Sequence, residues 1–300
     1  MIGVLGGGFG LYGHLPAVLN FAPRVGTLAR YEEDIVARRE LSGLRSQIDF
    51  FENEEALIAA SSVLVLARRP RDNVRLAVDI TARGADVRRL VLEKPVAPTP
   101  NEALVLHGLL QDAQLPYATP YLFAYCDWAQ SISDLFSSDN RAEVDIEWRH
   151  AARNAPLSWK YAAGEGGGAF RFYNIHFLAL ASDIAVRNGL ELNDLRLNVH
   201  GDDMILELAA ERRRLRVVFT LTRETPDFHV SMNRELVYRA TTPFGPLPQR
   251  GAPDPRIACL ERFYADRVFA SQANEMFSGN EAVLRNWMRL EKAEKARRSL

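Results

Sequence analysis

Residues 1–13 read MIGVLGGGFGLYG, a short apolar run that passes directly into a glycine-rich turn. Ile2, Val4 and Leu5 predict a buried strand, because no polar residue alternates with them to mark a solvent-facing side. Residues 14–21 then predict a helix. A glycine turn in this place forms a phosphate site, since its backbone can approach the anion and the first N–H groups of the helix point at it. The stretch therefore predicts a dinucleotide-binding turn, with a plain tight turn as the alternative.

Two registers of the motif G-x-G-x-x-G fit this turn. In one, Gly6 and Gly8 are the first two glycines and Leu11 takes the place of the third. In the other, Gly8, Gly10 and Gly13 match all three positions, but the motif starts late after the strand. The residues of the turn that we expect at the cofactor are Gly6, Gly8, Phe9, Gly10 and Leu11.

Length and composition exclude several classes of protein. The 300 residues suggest about two domains, and 47% apolar with 25% charged residues is ordinary for a globular protein. Because 37 basic residues are matched by 38 acidic ones, we expect no binding to nucleic acid or to a membrane surface. No apolar run reaches the roughly 20 residues of a membrane span, and we expect a cytoplasmic enzyme. Cys126 and Cys259 predict neither a disulfide framework nor a zinc site, and we expect no metal.

The chain continues as an alternation of apolar runs and helical patterns, which is typical of a parallel α/β sheet. We predict a Rossmann-type dinucleotide-binding domain at residues 1–118, with a doubly wound parallel sheet. Further predicted strands are 25–29, 63–67, 90–92 and one that begins at residue 117, and the predicted helices are 32–44, 73–83 and 101–113.

The end of the second predicted strand bears on the choice of cofactor. An NAD site usually places an acid there for the ribose diol, whereas an arginine suits the phosphate of NADP. Here Ala29 carries no carboxylate and Arg30 follows it, while Glu32 and Glu33 come slightly late. Arg30 can pair with a phosphate or lie over the adenine, and a solvated surface arginine is the alternative. We expect NADP, with NAD as the second choice.

A cationic segment follows the third predicted strand, at the sheet edge where ligands bind. It begins at Ala67, carries Arg68 and Arg69, and leads to Asn73 at the start of a predicted helix. The arginines can hold cofactor phosphates or an anionic substrate, and a solvated loop is equally compatible with the pattern. We place all four residues in the predicted cofactor site.

Glu93-Lys94-Pro95 directly follows the predicted strand at 90–92, and a second glycine run, Gly166-Gly167-Gly168, precedes His176. Together with the first glycine turn, these motifs resemble the Gfo/Idh/MocA oxidoreductases, the relatives of glucose–fructose oxidoreductase and inositol dehydrogenase, over nearly the whole chain. The resemblance implies Glu93 and Lys94 at an NAD(P) cofactor and a cis Lys94–Pro95 peptide bond. It also implies an α+β domain at residues 119–300, with an open antiparallel sheet flanked by helices.

The second half shows the pattern of such a sheet in its own residues. Partial alternation indicates one face packed on helices and the other on a partner, and the resemblance implies a homo-oligomer, a dimer or tetramer, through that outer face. The predicted strands are 144–148, 195–199, 204–210, 215–221 and 236–240, and the closing helices are 256–270 and 280–297.

We expect the chemistry at Lys94 and on the helix that follows Gly168. A lysine ammonium at a strand end can hold a substrate oxygen while a carbonyl becomes an alkoxide, and an ordinary surface lysine is the alternative. His176 lies in a largely apolar helical segment, where a histidine is usually a satisfied core residue. Only the resemblance favours His176 as the acid/base that exchanges a proton with the substrate.

One position departs from the family pattern. The pattern usually carries an aspartate four residues before the histidine, whereas this chain has Phe172 there. On a helix, Tyr173 would face in a similar direction to His176 and supply a phenol. Either the site works with Lys94, His176 and Tyr173, or the chemistry has been lost.

Substrate residues are suggested by cations beside aromatic rings. Arg149 lies at the end of the first predicted strand of the second sheet, and Trp159 and Lys160 precede the glycine run. Such pairs suit a sugar face and an anionic group, with simple packing as the alternative. The resemblance implies a sugar or polyol as the substrate, including nucleotide-linked sugars.

Two hypotheses of function follow. In the first, the protein passes a hydride between a nicotinamide cofactor and a carbinol or carbonyl carbon. In the second, it binds a dinucleotide without catalysis and serves as a sensor or an assembly partner. Lys94 and His176 favour the first hypothesis, and Phe172 favours the second.

Overall fold

The structure is a computed structural model that describes residues 1–151, 158–192, 194–200, 203–222, 224–246 and 251–298. Contacts divide the chain into two compact units. Unit 1 comprises Met1–Pro98, Glu102–Pro120 and Pro248–Asn280, and unit 2 comprises Thr99–Asn101, Tyr121–Leu247 and Glu281–Leu300. Unit 1 differs from the predicted domain at residues 1–118 because it takes in a late segment of the chain. That segment packs into it through buried side chains such as Tyr264 and through a hydrogen bond from Asn280 to the Tyr117 carbonyl.

The core of unit 1 is a six-stranded parallel sheet with the order β3-β2-β1-β4-β5-β6. All residues of β1, β2 and β4 are buried, as expected for a parallel sheet that is covered on both faces. The strands are β1 Ile2–Leu5, β2 Val25–Leu28, β3 Ile48–Phe51, β4 Val63–Leu66, β5 Arg89–Leu92 and β6 Tyr117–Ala118. The sequence did not predict β3, because at this edge strand only Ile48 is buried.

Helices connect these strands, and all but one lie close to predicted positions; the sequence predicted no helix at Glu54–Ala59. The predicted helix at 32–44 is in fact two, because the backbone is extended at Arg38. The helix after β4 begins at Pro70 and ends at Arg83, and Gly84 caps it with a left-handed φ of +60°. The α-helices of this part are α1 Leu15–Val18, α2 Glu32–Ala37, α3 Arg39–Ser42, α4 Glu54–Ala59, α5 Pro70–Arg83 and α6 Pro100–Asp112.

Unit 2 contains a second six-stranded sheet with the order β12-β11-β7-β10-β9-β8. It is open and largely antiparallel, as predicted, but β7 and β10 pair in parallel, so the sheet is mixed. Its strands are β7 Glu143–Ala151, β8 Asp194–His200, β9 Asp203–Ala210, β10 Arg213–Thr222, β11 Asp227–Met232 and β12 Glu235–Ala240. The sequence did not predict β11, in which only Phe228 and Val230 are buried between polar neighbours.

The two faces of the second sheet differ in burial. Along β7, Val144, Ile146 and Trp148 are buried, whereas Glu147 and Arg149, on either side of Trp148, are exposed. The buried face packs on helices, as the ring contact between Trp148 and Phe177 shows. The remaining α-helices are α7 Asp127–Ser138, α8 Ile175–Arg187, α9 Arg256–Phe263 and α10 Ala273–Arg298. Within the described residues, no helix combines the length and the apolar character that a membrane crossing requires.

Candidate functional site

The turn after β1 has the backbone that its glycines predict. Gly6 and Gly8 have φ angles of +149° and +57°, which residues with a side chain rarely adopt. A Cβ at Gly6 would lie 2.2 Å from the carbonyl oxygen of Ala67, so only glycine lets the ends of β1 and β4 approach this closely. A Cβ at Gly8 would meet no atom within 4 Å, and Gly7 and Gly8 are exposed. The turn therefore presents open backbone at the carboxyl edge of the sheet.

The structure also separates the two registers of the glycine motif. Gly10 lies inside the π-helical turn Gly10–His14 that leads into α1, and a Cβ there would come within 3.2 Å of the Ala67 side chain. Leu11 is buried in the core. At Gly13 a Cβ would collide with the ring of Phe9 at 2.2 Å. The motif glycines that shape the turn itself are thus Gly6 and Gly8. Gly10 and Gly13 permit close packing of the helical segment that follows.

Three charged side chains from separate connections meet beside this turn. Arg68 binds Glu54 through two contacts of 2.5 and 2.9 Å, and Arg30 lies 3.6 Å from the same carboxylate. The hydrogen bond from Arg68 lowers the pKa of the Glu54 carboxyl below its ordinary value, and the charge of Arg30 acts in the same direction. The Arg30 side chain is 59% exposed and lies over the ring of Tyr31.

The other predicted residues of this edge divide into exposed and structural ones. Arg69 is exposed and precedes the first turn of α5. Asn73 is fully buried, and its side chain exchanges hydrogen bonds with the backbone N–H and carbonyl of Arg68. Asn73 therefore fixes the shape of the Ala67–Arg69 connection.

The Glu93-Lys94-Pro95 motif follows β5 directly, and the Lys94–Pro95 peptide bond is cis, as predicted. Glu93 accepts a hydrogen bond of 2.9 Å from Nε2 of His14. Nδ1 of the same imidazole lies 2.6 Å from the phenol oxygen of Tyr264. His14 is completely buried, and its ring meets that of Phe9 edge to face. The two motifs that the sequence singled out in unit 1 are thus joined through one histidine.

In unit 2, the second glycine run packs against the residues just before it. A Cβ at Gly167 would lie 2.2 Å from the carbonyl oxygen of Trp159, and the Gly168 N–H donates to the Lys160 carbonyl. Two of the three predicted substrate residues, Trp159 and Lys160, lie against Phe172, the residue that departs from the family pattern. Lys160 Nζ lies 5.3 Å from the centre of the Phe172 ring, and Trp159 meets that ring edge to face.

The segment that leads to His176 is π-helical from Ala169 to Asn174 before α8 begins at Ile175. Arg171 anchors it with two hydrogen bonds of 2.6 Å to Glu291, which also accepts a hydrogen bond from Trp287. A π-helical turn changes the angle between successive side chains, so α-helical spacing does not predict their faces here.

The ring neighbours of the two predicted catalytic side chains in unit 2 differ. His176 is buried, stacks on Phe123 at 4.6 Å and meets the edge of Tyr121. Tyr173 stacks on Phe219 of β10 and lies 4.7 Å from the ring of His150. The role of Tyr173 beside His176 stays a prediction.

Arg149 lies on the exposed face of the second sheet, opposite to Trp148 and the helix α8. It lies 4.0 Å from Glu224. Its predicted contact with the substrate stays a prediction, and its side chain points away from the face that carries His176.

Three residues that contact the glycine turn or the Glu93 motif of unit 1, directly or through His14, were not predicted from the sequence. They are His14, Tyr264 and Arg256, which lies 4.1 Å over the ring of Phe9 and is paired with Asp254 at 2.7 Å. A histidine within the first turn after a glycine motif is a signal that could have been noticed. The other two lie about 250 residues further along the chain, and nothing local marks them.

No protein-family model and no curated protein sequence matches the chain. Solved structures do match it. The WlbA (WbpB) dehydrogenase from Thermus thermophilus, in complex with NAD and UDP-GlcNAcA, is 13% identical with a TM-score of 0.65, over 94% of this chain and 92% of that one. A putative myo-inositol dehydrogenase from Sinorhizobium meliloti is 14% identical with a TM-score of 0.68, over 99% and 97%. The super-repressor mutant of Gal80p from Saccharomyces cerevisiae is 9% identical with a TM-score of 0.69, over 98% and 95%.

At these identities the likeness establishes the fold. It spans both the parallel sheet and the mixed sheet, because each comparison covers nearly all of both chains. The chain therefore has the fold of these dehydrogenases, and this is the fold that its resemblance to the Gfo/Idh/MocA oxidoreductases implied.

Proposed function

We propose that the protein is an oxidoreductase that uses a nicotinamide dinucleotide and acts on a CH–OH group of a sugar-like substrate. The observation that carries this proposal is the open glycine turn at the carboxyl end of β1. It lies where the strand order reverses between β1 and β4, which is the place where doubly wound sheets bind their ligands.

The residues of unit 1 fit such a cofactor. The exposed backbone at Gly7 and Gly8 can approach a pyrophosphate without interference from side chains, and a helix starts directly after it. When bound, the cofactor accepts or supplies the hydride. The T. thermophilus dehydrogenase of the same fold was solved with NAD, which supports a nicotinamide dinucleotide here.

We propose NADP as the preferred form. Arg30 and Arg68 share the single carboxylate of Glu54, so this edge keeps an excess positive charge that a phosphate can neutralise. Arg69 adds a further exposed guanidinium close by in the sequence. Ala29, directly after β2, provides no acid for a ribose diol.

The proposed catalytic roles follow from the side-chain chemistry. In alcohol oxidation, the carbon–hydrogen bond breaks with its electron pair, and the hydroxyl proton must be taken up. Lys94 holds the reacting oxygen through its ammonium group, and the imidazole of His176 takes the proton. In reduction the same proton returns to the oxygen.

The proposed substrate is a sugar or polyol, including nucleotide-linked sugars. The names of two proteins of the same fold, one solved with UDP-GlcNAcA and one called a putative myo-inositol dehydrogenase, support this class. Trp159 and Lys160 offer a ring and a cation beside Phe172.

The alternative is a dinucleotide-binding protein without catalysis. Phe172 in place of the family's aspartate supports it, and so does Gal80p, whose structure is described as that of a super-repressor mutant. Both hypotheses include binding of the cofactor, so only a measurement of substrate turnover distinguishes them.

The first prediction concerns the glycine turn. Gly8→Ala should weaken NADPH binding roughly tenfold, about 1.4 kcal/mol, because the new methyl group projects into the space at the glycine turn where we place the pyrophosphate. Gly84→Ala is the matched control: Gly84 has nearly the same φ, +60° against +57°, and equally open space at its Cβ. Both variants should lose about 1–2 kcal/mol of stability from left-handed backbone strain. Titration of nicotinamide fluorescence measures the affinities, and equal affinity of the two variants would contradict the assigned turn.

The second prediction concerns the cofactor's phosphate. The protein should bind NADPH more tightly than NADH, and Arg30→Ala should reduce the ratio of the two affinities roughly 10- to 100-fold, the effect of one charge-assisted hydrogen bond. Arg83→Ala removes the same charge from the far end of α5 and should leave the ratio unchanged. Equal affinities for NADPH and NADH in the unmodified protein would overturn the preference.

The third prediction tests catalysis. A screen of UDP-sugars and inositols with both cofactors should give turnover, and His176→Ala should lower kcat by roughly 10²–10⁴-fold with the cofactor affinity retained. His229→Ala, on β11 beside Asp227 and Glu147, is the control and should leave kcat unchanged. Cofactor binding without turnover on any substrate would favour the non-catalytic alternative, and full activity of His176→Ala would refute the role of His176.

A further inference from the structure

We propose that His14 is a positioning residue: held by Tyr264, it fixes the Glu93 carboxylate and thereby sets the position of Lys94 beside the glycine turn. The catalytic part of this inference rests on the proposed function, because it takes Lys94 as the group that holds the substrate oxygen.

The hydrogen bonds around His14 define one arrangement of protons. The Glu93 carboxylate can only accept, so Nε2 of His14 carries a proton and donates it over 2.9 Å. Nδ1 lies 2.6 Å from the Tyr264 hydroxyl, and it is the hydroxyl's only hydrogen-bond partner among the described residues. A buried O–H group without an acceptor costs roughly 1–3 kcal/mol, so the phenol donates to Nδ1. The chain of donors therefore runs from Tyr264 through His14 to Glu93.

The surroundings of these three side chains keep their protons in this arrangement. The side chains of His14 and Tyr264 are fully buried, and 13% of the Glu93 side chain is exposed. Burial raises the pKa of the Tyr264 phenol well above its ordinary value, and the charge of Glu93 adds to the effect, so the phenol remains a donor. Which nitrogen of a histidine carries the proton is set by the bond that the other nitrogen makes.

The same imidazole also contacts the cofactor turn. Its ring meets that of Phe9 at 5.2 Å, and the guanidinium of Arg256 lies over the Phe9 ring at 4.1 Å. Phe9 follows Gly8 directly, and Lys94 follows Glu93 directly. His14 is thus in contact with the immediate neighbours of both functional positions in unit 1, which is the arrangement expected of a residue that aligns them.

A second buried histidine in unit 1 provides a matched control. His107 is 4% exposed, its Nδ1 lies 3.1 Å from the hydroxyl of Tyr117, and its ring meets Phe277 edge to face. His107→Leu removes a comparable buried histidine–tyrosine bond from residues outside both motifs. Any change in the Lys94 signal or in turnover that His107→Leu causes therefore measures the effect of losing a buried histidine with a purely structural role.

The first experiment needs neither cofactor nor turnover. The chain has four lysines, Lys94, Lys160, Lys292 and Lys295, so protein labelled with ¹³C at the lysine ε-carbon gives few NMR signals. Lys94→Arg assigns the signal of Lys94. His14→Leu should move that signal by more than its linewidth and leave the other three in place, whereas His107→Leu should move none of them. His14→Gln should restore the original position, because an amide can accept from Tyr264 and donate to Glu93.

The second experiment uses turnover. His14→Leu should lower kcat roughly 10- to 100-fold, the effect of a misplaced catalytic group, while the cofactor Kd changes by no more than about threefold. Tyr264→Phe keeps the bond between His14 and Glu93 and should give a smaller loss, and His14→Gln should recover most of kcat. Should His14→Leu fail to fold, Tyr264→Phe takes its place in the NMR experiment. A Lys94 signal that moves in Tyr264→Phe but not in His107→Leu supports the positioning role, and an unmoved signal or equal movement in both overturns it.

The inference and the proposed function fail in different ways. An unmoved Lys94 signal in His14→Leu, or an equal movement in His107→Leu, overturns the positioning role whatever the protein catalyses. A moved Lys94 signal without turnover in the unmodified protein supports the positioning role and favours the non-catalytic alternative over the proposed enzyme activity.

Discussion

The imidazole of His14 is bound on both sides, by the Tyr264 hydroxyl at 2.6 Å and by the Glu93 carboxylate at 2.9 Å. These partners are 250 and 79 residues away in the sequence. A buried polar group must find partners, and this one connects the helix that follows the glycine turn, the end of β5 and the late segment of unit 1. The bond to Tyr264 is one of the contacts that hold the late segment in the first unit, together with buried side chains such as Phe263 and Val268.

The features predicted correctly from the sequence are those with local causes. Gly6 and Gly8 adopt backbone angles that only glycine adopts readily, and the alternation of apolar runs and helical patterns gives the parallel sheet. The features that were missed depend on distant residues or on weak local patterns. No local pattern leads from His14 to Tyr264, and β11 has only two buried residues.

The region around His176 shows a different limit of sequence reasoning. The expectation that Tyr173 faces in a similar direction to His176 assumed α-helical spacing, whereas residues Ala169–Asn174 are π-helical. In the structure, Tyr173 stacks on a strand of the sheet, and Phe172 receives the side chain of Lys160. At the sequence position where the family pattern has an aspartate, this chain therefore has an aromatic ring with a lysine ammonium 5.3 Å from its centre.

The central claim is that a defined chain of donors, from Tyr264 through His14 to Glu93, holds the two motifs of unit 1 together. The protonation of the His14 imidazole tests it most directly. In protein labelled with ¹⁵N at histidine, the signals of His14 can be identified among those of the six histidines by their loss in His14→Gln. The account predicts a proton on Nε2 and an unprotonated Nδ1 at pH 7, and a proton on Nδ1 would contradict it.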